Sequence, residues 1–139
     1  MSKTIFGTVA LGAVLVISGP AFAETFKATL DGKSEVPPTT GAGSGMADID
    51  YDPATKKVTW KVTYSGLSGP AMAAHFHGPA EPGKNAGVMV PIPNAGSSPV
   101  EGSATLTDAQ AADLTSGKYY INIHTAANPG GEIRGQVTK

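Results

Sequence analysis

The chain has 139 residues, with 10 Lys and Arg against 11 Asp and Glu, and it contains no cysteine. The lack of cysteine excludes thiol catalysis, thiolate metal ligation and disulfide bonds. The formal net charge of −1, without a basic run, argues against nucleic acid as a partner.

The N-terminal segment has the features of a secretory signal peptide. Lys3 supplies a short positive region, Ile5 to Ile17 forms an uncharged apolar stretch, and Ala21-Phe22-Ala23 matches an A-x-A cleavage site. This stretch is too short for a membrane anchor, because a spanning helix needs about 20 apolar residues. We therefore predict a signal peptide over residues 1–23, a secreted or periplasmic location, and one domain over residues 24–139 without a membrane span.

Short alternating segments separated by Gly and Pro predict an all-β fold with one short helix. Thr107 and Gln110 have the spacing of a capping box, and Gly117 is a suitable helix stop. Pro91 and Pro93 indicate that the predicted strand Gly87–Ile92 is either an edge strand or the end of a strand. In chain order, the predicted elements are strands at Phe26–Leu30, Gly45–Tyr51, Val58–Tyr64, Met72–His77, Gly87–Ile92 and Val100–Leu106, a helix over residues 107–116, and strands at Tyr119–Ile123 and Ile133–Val137.

His75 and His77 fall in the predicted strand Met72–His77, and His124, the third histidine of the chain, directly follows the predicted strand Tyr119–Ile123. Side chains two apart in a strand share a face, so His75 and His77 point the same way, and His124 shares a face with Asn122. If the two strands are neighbours, the three imidazoles meet. Neutral imidazole is a common ligand of copper and zinc, and a site of nitrogens without thiolates favours copper first and zinc second. The alternative is that the rings are structural and form hydrogen bonds with Glu132, Asn122, Thr125 or backbone carbonyls. We therefore predict that Asn122 supports the cluster or contributes to ligand binding.

Glu132 and Arg134 are two residues apart and therefore share a face of the last strand. Glu132 could accept a hydrogen bond from an imidazole or ligate a metal, and Arg134 could hold an anion or a carboxylate. The alternative is a cross-strand salt bridge on the surface, worth about 0–1 kcal/mol.

Other residue types give no catalytic signal. Ser65-Gly66 lacks the strand-to-helix elbow that activates a serine nucleophile. Thioethers bind Cu(I), but Met46, Met72 and Met89 form no Met-x-Met cluster, so we expect them to pack in the core. No catalytic residue is predicted, and we expect the protein not to be an enzyme.

Several motifs follow one another along the chain: Glu35-Val36-Pro37-Pro38, Tyr64-Ser65-Gly66-Leu67, Ala73-Ala74-His75-Phe76-His77-Gly78-Pro79-Ala80, Leu106-Thr107-Asp108-Ala109-Gln110, Tyr120-Ile121-Asn122-Ile123-His124-Thr125 and Pro129-Gly130-Gly131-Glu132-Ile133-Arg134-Gly135-Gln136. Their order resembles that of the CHRD domain, a module named after chordin and found widely in bacterial secreted proteins. The resemblance implies an immunoglobulin-like antiparallel β-sandwich, and it implies no particular reaction. We therefore expect an exported, non-catalytic protein that binds a transition metal through its histidines, or alternatively a structural or protein- or glycan-binding sandwich module without metal.

Overall fold

The computed structural model describes residue 10, residues 12–14 and residues 22–139. The predicted signal peptide therefore lies almost entirely outside the described residues, and its cleavage stays a prediction. Within the described part of the chain, no helix has the length and apolar character needed to cross a bilayer.

The described residues form an antiparallel β fold with one short helix, as predicted. A short 3-10 turn at Gly32–Ser34, which the sequence patterns do not indicate, follows the first strand. The elements are β1 (Glu24–Asp31), β2 (Ser44–Asp52), β3 (Lys57–Ser65), β4 (Ala71–His77), β5 (Val88–Ile92), β6 (Val100–Thr105), α1 (Asp108–Thr115), β7 (Tyr120–Thr125) and β8 (Ile133–Gln136).

The strands form one sheet in the order β5-β4-β7-β8-β1-β2-β3-β6. The seam between β8 and β1 has a single register pair, Asp31 with Arg134. This seam divides the sheet into two four-stranded halves. The end strands β5 and β6 also contact each other, so the sheet is nearly closed. The predicted sandwich-like class is confirmed, and β5 is an edge strand as its prolines indicate.

The core joins the two halves through side chains of alternate strand positions. In β3, Val58, Trp60 and Val62 are buried, whereas the residues between them are exposed. The ring of Trp60 meets that of Phe76 from β4 edge-to-face, with centroids 5.3 Å apart. Gly102 leaves room for the indole, because a Cβ there would lie 2.7 Å from Trp60 Cζ2.

The helix begins with the capping box that the sequence predicts. The Gln110 amide N–H donates to Thr107 Oγ1 at 3.2 Å, and the Thr107 N–H donates to Gln110 Oε1 at 3.0 Å. These bonds satisfy backbone donors that the first helical turn would otherwise leave free. Leu114 anchors the other end of the helix in the core.

The prediction that the methionines pack in the core is wrong for two of them. Met46 is 53 % exposed and Met72 is 67 % exposed, whereas Met89 packs against the core. Met46 lies on the outer face of β2, because the alternate positions of that strand point inward. Met72 lies at a register shift between Ala71 and Ala73, and such a bulge changes the face that a side chain takes.

Candidate functional site

The three histidines meet on the outer face of the half-sheet that contains β4 and β7. These strands are neighbours, with Ala73 opposite His124 and His75 opposite Asn122. One ring nitrogen of each histidine can be chosen so that the three atoms lie within 4.8 Å of one another. His75 and His124 are half-buried and His77 is buried. The structure thus brings together the residues that the sequence analysis singled out as metal ligands.

Backbone carbonyls fix the tautomers of two of the rings. His77 Nδ1 donates to the carbonyl of Ala86 at 2.9 Å, and His124 Nδ1 donates to that of Pro129 at 2.8 Å. A neutral imidazole has a single N–H, so Nε2 of both rings keeps its lone pair. His124 Nε2 lies 3.1 Å from His75 Nδ1, and His77 Nε2 is buried without a hydrogen-bond partner among the described residues. Metal-ligating histidines are typically oriented in this way by their other nitrogen.

The surroundings of His75 and His77 favour the neutral form of these two rings. Burial lowers the pKa of His75, and the neighbouring His124 and His77 lower it further. Burial also lowers the pKa of His77, although its hydrogen bond with Ala86 and its contact with Asn122 act in the opposite direction. The deprotonated ring is the form that binds a metal ion, so these lone pairs are available at neutral pH.

An aromatic and cationic stack supports His77. Its ring lies parallel to that of Tyr120, with an interplanar angle of 1° and centroids 4.8 Å apart. The guanidinium carbon of Arg134 lies 3.5 Å from the centroid of Tyr120. The Tyr120 hydroxyl accepts from the Ala86 N–H at 3.0 Å, and it also contacts the Ala86 carbonyl that His77 uses. The stack therefore positions the carbonyl that fixes the His77 tautomer.

Arg134 is buried, with 2 % of its surface exposed, and it binds the loop between β4 and β5. Its guanidinium donates to Asn85 Oδ1 at 2.8 Å and to the Lys84 carbonyl. Glu132 is also buried, and no ion pair joins the two residues in the described part of the chain. The alternative of a surface salt bridge is thus wrong, because β8 is an inner strand and loops cover its outer side.

Glu132 binds neighbouring loops instead of an imidazole. Its carboxylate accepts from the Ser68 N–H at 2.8 Å, the Ser68 hydroxyl, Thr125 Oγ1 at 2.8 Å and Asn128 Nδ2 at 2.9 Å. Burial alone would raise the pKa of Glu132, but these hydrogen bonds hold it below its usual value. Glu132 therefore supports the turn that supplies the Pro129 carbonyl to His124. The hydrogen bonds from the imidazoles of His77 and His124 are accepted by backbone carbonyls and not by Glu132, contrary to the possibility raised from the sequence.

Glu35 is a buried acid that the sequence analysis did not identify as a site residue. It is 5 % exposed, and burial raises its pKa to about 7 against the opposing effects of Arg134, the Val36 backbone and Asn122. Its side chain lies beside Asn122 at the glycine turn of Gly131. The motif Glu35-Val36-Pro37-Pro38 was the one sequence signal for this residue, and that motif does not indicate burial.

Comparison with known proteins identifies the family of the chain. The CHRD domain model matches residues 26–137, which include the three histidines, Asn122, Glu132 and Arg134. The comparisons with curated proteins and with solved structures found no match. Because the family match spans most of the chain, the protein belongs to the CHRD domain family.

Proposed function

We propose that this protein is an exported, non-catalytic module that binds one transition metal ion through His75, His77 and His124. The observation that carries the proposal is the approach of the three ring nitrogens to within 4.8 Å of one another. Nitrogens bonded to one ion at about 2.0–2.1 Å lie at most about 4.2 Å apart. Small side-chain rotations are therefore enough to form the site.

The chemistry of the ligands favours copper, with zinc second. The donors are neutral imidazole nitrogens, and the chain has no thiolate to compete for a softer ion. Divalent copper binds nitrogen donors more tightly than the other first-row divalent ions, and zinc also accepts three imidazoles. The resemblance to the family implies no particular reaction, and the sequence analysis predicts no catalytic residue.

A titration of the purified protein with Cu(II) and with Zn(II) tests this proposal. We expect one ion per chain with a dissociation constant of roughly 1 μM or tighter, and a loss of at least about tenfold in affinity for His77→Ala. Asp48→Asn serves as the control, because Asp48 is an exposed carboxylate outside the cluster. Binding weaker than this, or binding that His77→Ala leaves unchanged, would overturn the proposal.

Export is tested separately by the N-terminus of the protein recovered outside the cytoplasm. We expect that N-terminal sequencing of this material begins at Glu24, since cleavage after Ala23 fits the A-x-A pattern. An uncleaved protein that remains inside the cell would contradict the proposed location.

A second candidate is a binding module without metal that presents its loops to a protein or a glycan. The hydrogen bond between His75 and His124 favours it, because the two rings satisfy each other without an ion. Arg134 and Tyr120 also hold the Pro79–Gly87 loop in one conformation. In a glycan array, this candidate predicts binding that a His75→Ala/His77→Ala variant keeps and that changes in the loop abolish.

A further inference from the structure

We infer that the side-chain oxygen of Asn122 is the fourth donor of the metal site. This inference rests on the proposed function and extends it from three nitrogens to a set of three nitrogens and one oxygen. It also defines which oxidation state of copper the site prefers.

The backbone places Asn122 at the centre of the cluster. Asn122 lies opposite His75 across the β4–β7 pair, and it precedes His124 by two residues on the same face of β7. The side chain is 3 % exposed, so solvent does not hydrate its amide. Its Oδ1 is buried and has no hydrogen-bond partner in the described part of the chain.

The nitrogen end of the amide is held at the Gly130-Gly131 turn. Asn122 Nδ2 donates to the Gly130 carbonyl at 3.4 Å. It also lies against Gly131, whose φ is +122° and where a Cβ would come within 2.6 Å of Nδ2. Glu35 Oε1 borders the same position. The turn therefore needs glycine at this position, and it leaves Oδ1 as the end of the amide that is free to bind.

His77 lies two residues from His75 on the same face of β4. His77 Nε2 is itself a buried acceptor without a partner among the described residues. Buried polar atoms nearly always have a partner, and two acceptors cannot satisfy each other. A single cation between them satisfies both.

An amide oxygen among the ligands changes which metal ion, and which oxidation state of copper, the site favours. Oxygen is a harder donor than sulfur, and the set of three imidazoles and one amide carries no charge and no thioether. Such a set favours Cu(II) and Zn(II) over Cu(I). Met72, whose thioether would favour Cu(I), is exposed.

Electron paramagnetic resonance of the Cu(II)-loaded full chain tests this inference with two substitutions. In Asn122→Ala, the oxygen donor is lost, so we expect altered g and copper hyperfine values, a shifted d–d absorption band and at least tenfold weaker binding. Asn122→Asp keeps an oxygen donor and adds charge, so we expect binding at least as tight as in the unmodified protein. Pulsed electron paramagnetic resonance counts the imidazoles that bind the ion. We expect three imidazoles in every variant, whereas a general loss of structure would lower this number.

Asn94→Asp is the matched control, because Asn94 is exposed in the loop after β5 and the substitution adds the same charge. We expect its spectrum to equal that of the unmodified protein. Unchanged spectra and affinities for both Asn122 variants would overturn the fourth donor and leave the three-histidine site intact. If the unmodified protein binds no Cu(II), the proposed function fails and the fourth donor fails with it. If Asn122→Ala does not fold, Asn122→Asp alone decides. The added charge on a coordinated oxygen should shift the g and hyperfine values, so a spectrum and an affinity identical to those of the unmodified protein would overturn the inference.

Discussion

Glu35 and Glu132 are both buried acids, yet their pKa values shift in opposite directions. Glu132 accepts hydrogen bonds from Ser68, Thr125 and Asn128, which stabilise its charged form. Glu35 has a buried oxygen without such a donor among the described residues, so burial dominates. The direction of each pKa shift therefore depends more on the number of hydrogen-bond donors around the carboxylate than on how little of the residue is exposed.

For Glu132→Gln we expect a loss of about 1–3 kcal/mol in the free energy of unfolding, because a side-chain N–H₂ would replace one of the acceptor oxygens. The pKa of Glu132 is lower in the folded than in the unfolded state, so its stabilising effect is present above pH 4.5 and is lost as the pH falls through the folded value. Urea unfolding at several pH values measures both effects. Glu81→Gln, at an exposed position, is the control, and an equal loss for both variants would argue against this account.

The contribution of Glu35 to stability should depend on pH in the opposite direction from that of Glu132. The folded pKa is about 7 and the ordinary value is 4.5, so the folded state binds more protons between these values. The stability of the unmodified protein therefore falls as the pH rises through this window. Since glutamine does not titrate, we expect Glu35→Gln to gain up to about 3 kcal/mol relative to the unmodified protein by pH 8. If the free energies of unfolding of the unmodified protein and of Glu35→Gln differ by a constant amount from pH 4 to pH 8, then Glu35 has an ordinary pKa and this prediction is wrong.

At the scale of elements, a row of alternating charges crosses the outer face of the half-sheet formed by β1, β2, β3 and β6. Lys27 lies opposite Asp48, Asp48 opposite Lys61, and Lys61 opposite Glu101. Opposite charges at directly paired positions stabilise a sheet, and like charges destabilise it. Lys61 is the central cation of this row, with an acid on each side.

We expect Lys61→Glu to destabilise the protein by about 0.5–1 kcal/mol, because it places three acids in a line. The loss should shrink in 1 M salt, where screening acts over about 3 Å. Lys61→Gln removes the charge without creating repulsion and should cost less than Lys61→Glu. Denaturant midpoints at low and high salt test this, and a loss that is the same at both salt concentrations would contradict an electrostatic origin.

The strands and the helix could be predicted because their signals are local. The alternation around Trp60 and the capping box of Thr107 and Gln110 depend only on neighbours in the chain. The exposure of Met72 could not be predicted, because a bulge depends on pairing with a distant strand. The carbonyls of Ala86 and Pro129 were also missed, since every residue has a carbonyl and only the folded loop selects one.

At the scale of the whole molecule, the contact between Trp60 and Phe76 joins the two half-sheets across the core. We expect Trp60→Ala to reduce the free energy of unfolding by about 3–5 kcal/mol, the usual range for removal of a large buried aromatic side chain. Thr59→Ala changes the neighbouring exposed position and should alter stability by less than about 0.5 kcal/mol. Urea unfolding followed by circular dichroism compares the variants. Similar losses in both would show that the indole is not central to the core.

From the sequence, we could predict that the three histidines meet only if their two strands are neighbours in the sheet. Strand period places His75 with His77, and His124 with Asn122, but the adjacency of β4 and β7 comes from the folding of the entire sheet. The burial of Glu132 and Arg134 has the same origin, because loops distant in sequence cover them. Position within a strand was therefore predictable, whereas burial and hydrogen-bond partners depend on the complete fold.

X-ray absorption at the copper edge of the Cu(II)-loaded protein tests the central claim most directly. The account predicts one ion with three imidazole ligands at about 2.0–2.1 Å, and a decrease to two imidazoles in His124→Asn. A bound ion with one imidazole or none, or a spectrum that His124→Asn leaves unchanged, would contradict a shared site of His75, His77 and His124.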